Sequence, residues 1–381
     1  MRTAILALAL GAVTTSVADA QGTLGSQGLG YPTGGLSTRS FSTGGSFGDF
    51  DAASMLNPAA LGQTGTLEIY AQSSVESRLT TVGGVEGSSV IPRFPLAGAV
   101  LPLSPRLSLG LGVSTFLERS WGTVSEGSLV LDGAPVTVED RTTAEGAISD
   151  FRVAASWRLG PRVTFGLGGH VFTGENRLSL NRTFVDAPGF GTFERRGTVD
   201  FAGTAVSGGM VVQPNPRLTL AASGRFGLAM DAERNDSLVA EATVPSRASV
   251  AARYQIPGAL FSVRAGWERW SDLNGFAERE GVTPSTLDAR DALEYSVGTD
   301  VDGPVLFGQG IVLRAGARWR TLPFAIAGNE ISETTFTGGL GIPLSQGRIL
   351  LDLGAGRASR SGVAGASERS WITTIGLVVR P

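Results

Sequence analysis

The sequence predicts an all-β fold: an antiparallel transmembrane β-barrel of about 14 strands with a short N-terminal plug segment. Three observations carry this. Apolar residues alternate with polar or small ones at period two through most of the chain after residue 62. Only 17% of residues are charged and 54 of 381 are Gly. Short Pro/Gly turns alternate with longer polar connections. A strand turns successive side chains to opposite faces, and a membrane barrel sets one face against lipid and the other against a lumen.

The chain opens with an export signal. Arg2 gives a positive start, Ala4 to Val13 form an apolar run, and Ala18-Asp19-Ala20 fits a small-x-small cleavage site. That run is about ten residues, against the roughly 20 that span a bilayer as a helix. The expected organisation is residues 1–20 as signal peptide, 21–62 as plug and 63–381 as barrel. No Cys occurs, so disulfides, thiolate metal sites and a lipid-bearing N-terminal Cys are excluded. All 31 basic residues are Arg. Removing Arg2 with Asp19 leaves the net charge at −3, without the basic footprint that nucleic acid requires. No second apolar run reaches helix-spanning length, which excludes a helical membrane protein.

Residues 51–62, DAASMLNPAALG, break the strand pattern. Pro58 cannot donate to a ladder, and Asn57 can cap a turn through its side chain. Irregular backbone at membrane depth is tolerated only inside protein.

Fourteen strands follow, at 64–77, 88–103, 106–120, 147–159, 162–178, 196–212, 217–230, 243–256, 259–270, 291–302, 310–320, 332–343, 347–358 and 369–380. IVLRAGARWR is the clearest. Ile311, Leu313, Ala315, Ala317 and Trp319 share one face, and Arg314, Arg318 and Arg320 the other. RASVAARYQI, LFSVRAGWE and FRVAASWRL repeat the pattern. Each segment supplies the about 9–11 residues a membrane strand needs. The short turns, such as 103–106, 159–162 and 344–348, read as periplasmic. The polar stretches 119–147, 181–196, 231–242, 271–290 and 358–368 read as outer loops. Within 119–147, SLVLDG and PVTVED suggest an external hairpin. Trp157, Tyr254 and Phe261 fall beside short turns, and Trp121, Trp270, Trp319 and Trp371 near long loops, as two interfacial aromatic girdles require.

Catalytic chemistry is sparse. The only His is His170, inward by parity, with no Ser partner nearby in sequence, so no enzymatic role is expected. A metal site built from His or Cys is excluded, and no cofactor is expected. The glycine pairs GLGLG and GGLG lie within strands and are not phosphate loops. Arg152, Arg225, Arg253, Arg264, Arg314 and Arg318 face the lumen and can pair with Glu268, Glu294 and Asp352. Arg264, Arg314 and Arg318 are the candidate contacts for a ligand carboxylate, which a guanidinium fork suits.

Several segments together resemble the FadL/TodX-like family of outer-membrane transporters for hydrophobic compounds. They are the Asn57-Pro58-Ala59 box after an acidic-small-apolar run, VPSRASVAARYQI, WERWSDL with Trp270-Ser271, and LRAGARW followed by Leu322-Pro323-Phe324. The resemblance implies a bacterial outer-membrane barrel plugged by its N-terminal segment, with Asn57, Pro58 and Ala59 as the plug motif. It implies passive uptake of hydrophobic small molecules such as long-chain fatty acids or aromatics. Outer-membrane lipid, a hydrophobic ligand and the barrel-assembly machinery are the implied partners. The chain departs from the pattern in a shorter, Gly/Ser-rich plug and in ending GLVVRP without a terminal aromatic. The PorV-like branch is similar in architecture and carries an Asn-Pro-Ala box, so a role in protein secretion through protein partners is the alternative. An open porin is a third reading.

Overall fold

The computed structural model describes residues 18–21 and 30–381, apart from 132, 188, 275, 277–286, 307 and 327. Of the expected signal peptide, residues 1–17 lie outside the described residues. Ala18–Gln21 form a short strand against Gly122–Ser125.

Fourteen antiparallel strands close into one barrel. They are β1 (Glu68–Val82), β2 (Val85–Pro102), β3 (Leu107–Glu118, resuming at Trp121–Leu131), β4 (Ala134–Leu159), β5 (Val163–Phe184), β6 (Phe193–Asn215) and β7 (Leu218–Arg234). Then come β8 (Ser237–Thr243, resuming at Ser246–Ile256), β9 (Ala259–Arg269), β10 (Leu287–Ala289, resuming at Ala292–Leu306), β11 (Gln309–Ile326), β12 (Asn329–Leu344), β13 (Ile349–Ser361) and β14 (Ala366–Val379). Each strand pairs with its sequence neighbours, and β14 returns to β1 from Val379↔Ile69 to Ala366↔Val82. Closure leaves no free edge around most of the circumference, which backbone in hydrocarbon demands. Arg380 completes the join by ion-pairing with Glu68 at 2.7 Å.

The alternation sorts as the sequence indicates. On β4 and β5, Val153 is 70% and Leu167 73% exposed, while Arg152, Ser156 and His170 between them are buried. So long an exposed apolar band has no place on a soluble monomer; it is a lipid-facing wall. Trp157, Tyr254, Phe261, Trp319 and Trp371 stand exposed on it. Trp270 does not. It is fully buried in the lumen, because the chain leaves β9 and enters a 3-10 turn at Trp270–Leu273 that folds inward.

The outer connections differ from the sequence expectation. β4, β5 and β6 run 26, 22 and 23 residues, well beyond the about 9–11 that span a membrane. Most of 119–147 and 231–242, and half of 181–196, is therefore strand projecting outside. β3 and β4 form the external hairpin about Gly133. Gly83 and Gly84 (φ 58° and 87°) and Asn235 and Asp236 (φ 51° and 59°) make tight left-handed turns where longer loops were expected. These residue types tolerate that conformation at least cost. At the start, strand one begins at Glu68, not 64, because the plug's last 3-10 turn runs to Gln63.

Candidate functional site: a plugged lumen

Residues 30–62 lie inside the barrel. Helix α1 (Thr38–Ser42) is one turn long, and its N-cap Ser37 accepts the Ser40 N–H. A second turn, Pro58–Gln63, starts with Pro where a missing N–H costs nothing. Asn57 caps it: Oδ1 accepts the Ala59 N–H at 2.9 Å and Nδ2 donates to the Asp49 carbonyl at 3.0 Å. Pro58 and Ala59 are buried against β5.

The wall is cut to receive this hatch. A Cβ on Gly166 would collide with the Pro58–Ala59 backbone, and one on Gly209 with the Asn57 side chain. On the opposite side, Gly298 and Gly316 meet Thr43, and Gly339 and Gly354 meet Ser42. Inward glycines thus trade side-chain volume for close backbone approach.

Charge fastens the two parts. Asp49 is fully buried; it accepts Arg264 Nε at 2.8 Å, Ser223 Oγ at 2.6 Å and Ser249 Oγ at 3.0 Å. Burial opposes its charge, but Arg264 and these hydroxyls outweigh burial and hold the carboxyl below its ordinary value. Arg39 bonds Asp300 at 2.8 Å, and Arg247 donates to the Met55 and Leu56 carbonyls at 2.8 and 2.9 Å. The candidate ligand contacts are engaged from within the chain. Arg264 also pairs with Glu294, Arg314 with Asp352, and Arg318 with Glu333 at 3.2 Å.

Around the start of the hatch, a belt of buried ion pairs crosses the lumen. Glu333 receives Arg320 at 2.8 Å and Arg360 at 2.6 Å. Glu76 receives Arg78 and Arg360, both at 2.9 Å, and Arg93 at closer range. Tyr31 sits at the centre. Its hydroxyl donates to Glu333 at 2.9 Å, and the Arg93, Arg320 and Arg360 guanidiniums stand over its ring at 5.1, 4.9 and 4.6 Å.

Beside the belt the lumen is apolar. Phe116 stacks on Trp270 (5.3 Å, 8°) and meets Phe172 edge-on at 4.9 Å. Ile148, Val199, Phe201, Leu273 and Phe276 continue the cluster. Arg225 and Arg119 lie over its aromatic faces, at 5.0 Å from Phe116 and 4.8 Å from Phe201.

One seam interrupts the wall. β2 and β3 pair only from Leu96↔Ser114 to Pro102↔Ser108. Beyond Leu96, β2 pairs with β1 alone, while Leu117 and Glu118 of β3 take Pro32 and Tyr31 of the hatch instead. At about 2.5 Å of height per residue in a tilted strand, the seam opens inside the ~25 Å apolar band. On the periplasmic side of the hatch, a cavity of about 360 Å³ lies between Arg39, Asp51 and Ala53 and the wall at Glu68, Tyr70 and Leu377. Among the described residues no cluster of three or more metal-ligating groups occurs.

The sequence reading missed Tyr31 and the placement of Trp270, and also Ser207, which lies 2.8 Å from His170 Nε2. Pairing between β5 and β6 joins that Ser to that His; distance along the chain does not show it.

No family model matches the sequence, and no curated protein does. Solved structures do resemble it in fold. A Pseudomonas aeruginosa FadL homologue is 13% identical, with a TM-score of 0.64 over 92% of this chain and all of that one. The Pseudomonas putida toluene transporter TodX is 14% identical, with a TM-score of 0.57 over 92% of this chain and 99% of its own. CymD, a monoaromatic hydrocarbon channel, is 14% identical, with a TM-score of 0.55 over 91% and 98%. The chain therefore has the fourteen-stranded barrel fold of these FadL-like structures.

Proposed function

We propose that the protein is an outer-membrane channel that admits hydrophobic small molecules passively. One observation carries this: an aromatic cluster inside the barrel stands beside a seam in the wall at membrane depth, while hatch and ion-pair belt close the axial path. An open porin needs a continuous aqueous lumen, which this arrangement lacks. An apolar solute gains by leaving water for the Phe116–Phe172–Trp270 surface. The seam offers it a sideways path into the bilayer without crossing the belt. Flat, stacked aromatic faces suit planar rings at least as well as acyl chains, and the similar structures include a toluene transporter and a monoaromatic hydrocarbon channel.

The test is uptake of labelled toluene and of labelled oleate by a deletion strain with and without the restored gene. Faster uptake of either on restoration supports the reading and assigns the class; no difference for both contradicts it. Trp270→Ala removes one aromatic face on which a solute ring would stack for about 1 kcal/mol, so uptake at low solute concentration is expected to fall roughly fivefold.

A role in handling exported proteins has one observation in its favour. The projecting β3–β6 sheet ends on the Trp121–Leu131 strand, and beyond Ser125 no strand among the described residues covers its outer side. Such an edge can accept an extended peptide. Pull-down from an outer-membrane extract, with Gly127→Pro as the control, would separate this reading from uptake.

A further inference from the structure

Three inward side chains near the aromatic cluster form a connected set that passage of an apolar solute does not require. Asp150 on β4, His170 on β5 and Ser207 on β6 are all buried. His170 Nδ1 lies 2.8 Å from Asp150 Oδ1, and its Nε2 lies 2.8 Å from Ser207 Oγ. The register explains the contact. Arg152 stands directly opposite His170, and Gly168 opposite Ser207, so His170 reaches both partners on the diagonal. A Cβ on Gly168 would press on Ser207 Oγ at 2.7 Å, so glycine there leaves the hydroxyl its place. With Asp150 accepting from Nδ1–H, Nε2 is left as the acceptor of the Ser207 proton. That is the relation of orienting acid, base and nucleophile, and such a set is recognised by geometry rather than by fold.

Two independent observations give this set a substrate side. Arg225 stands directly opposite Ser207 on β7. Its Nη2 donates to the Pro245 carbonyl at 3.0 Å and its Nη1 faces Asp150 Oδ2 at 3.8 Å, but its buried Nε has no hydrogen-bond partner. A fixed cation with an unspent N–H beside a nucleophile is placed to receive a developing oxyanion. The same guanidinium lies over Phe116 and Phe172, and Phe172 stacks on the His170 ring at 6.1 Å. The apolar cluster thus begins at the triad. A cavity of about 20 Å³ touching Asp150, Arg225 and Phe116 has room for about one water.

We infer that Ser207, His170 and Asp150 form a nucleophilic triad that hydrolyses carboxylic esters of apolar acids reaching the aromatic cluster. Ser207 Oγ bonds to the acyl carbon while its proton passes to His170 Nε2. The carbonyl electron pair moves onto oxygen and is held by Arg225. Collapse breaks the ester C–O bond, and the alcohol leaves with the proton from Nε2. Water then gives a proton to Nε2 as its oxygen bonds to the acyl carbon. The second collapse frees the acid and returns the proton to Ser207. Asp150 acts through His170 and is a positioning residue. In cells the substrate would arrive by the uptake proposed above, but in detergent the chemistry does not depend on that route.

The experiment treats the full chain, purified in detergent and shown folded by heat-modifiable gel mobility, with an alkyl fluorophosphonate, followed by peptide mass mapping. The expected result is an adduct on Ser207 that is lost in His170→Ala. p-Nitrophenyl octanoate should also be cleaved faster than the blank, with Arg225→Gln lowering kcat more than it raises KM. If the folded wild-type chain gains no adduct on Ser207 and cleaves no faster than the blank, the proposal is overturned. The three side chains are then a hydrogen-bonded tie between strands only. Uptake measured in Ser207→Ala cells separates that failure from failure of the channel reading.

Discussion

Replacing Gly166 with Val is expected to unseat the hatch and turn a closed barrel into a conducting one. The wall position is occupied by the Pro58–Ala59 backbone, which cannot swing aside as a flexible side-chain tip would. Overpacking of this kind costs about 1–3 kcal/mol when the surroundings absorb it. The barrel ladders run unbroken along β5, so the strain falls on the hatch, which is held by caps and ion pairs instead. Planar-bilayer recordings should show a nearly silent wild type and frequent long openings for Gly166→Val. Gly169→Val on the same strand, where a Cβ meets nothing within 4 Å, should stay silent. Equal conductance in all three would mean the hatch does not seal the lumen.

Glu333→Ala is expected to be the most destabilising single substitution in the wall. This fully buried carboxylate is the common acceptor for Arg318, Arg320 and Arg360 and for the Tyr31 hydroxyl. Removing it leaves three buried cations short of a partner and frees the segment that sits at the seam. Breaking a buried pair costs about 3–5 kcal/mol, and urea unfolding in lipid vesicles should show a loss of that order. Glu194→Ala, whose carboxylate pairs with Arg196 on an exposed outer strand, should change almost nothing.

The barrel was legible in the sequence because lipid imposes a rule that every spanning strand obeys. Val153 or Leu313 must face hydrocarbon, and Arg152 or Arg314 must not. Where the strands leave the membrane the rule lapses. Residues such as Glu139, Thr142 and Asn181 are polar on both faces, so the outer half of β4 and β5 read as loop. Parity places Trp270 in a girdle, but parity ends with the strand, and the chain turns inward one residue later. The Asn57-Pro58-Ala59 box marks an irregular buried turn, but the stronger trace of the hatch lies in the wall. Inward glycines such as Gly166, Gly209 and Gly316 mark where a second piece of backbone lies against the wall. Tyr31 and Ser207 gave no local signal. Their partners lie 302 and 37 residues away, and only the register of the closed sheet brings them together.

The account depends on a wall that meets hydrocarbon outside and a filled lumen inside. The most direct test is collision accessibility of single spin labels placed at each position from 151 to 157 of β4 in lipid vesicles. The natural chain has no Cys, so every labelled Cys is the only one. Labels at 151, 153, 155 and 157 should collide readily with oxygen and poorly with a water-soluble nickel chelate, and labels at 152, 154 and 156 poorly with both. High nickel accessibility at 152, 154 and 156 would reveal an open aqueous lumen. Absence of the oxygen maxima at 151, 153 and 155 would mean that no lipid surrounds the wall.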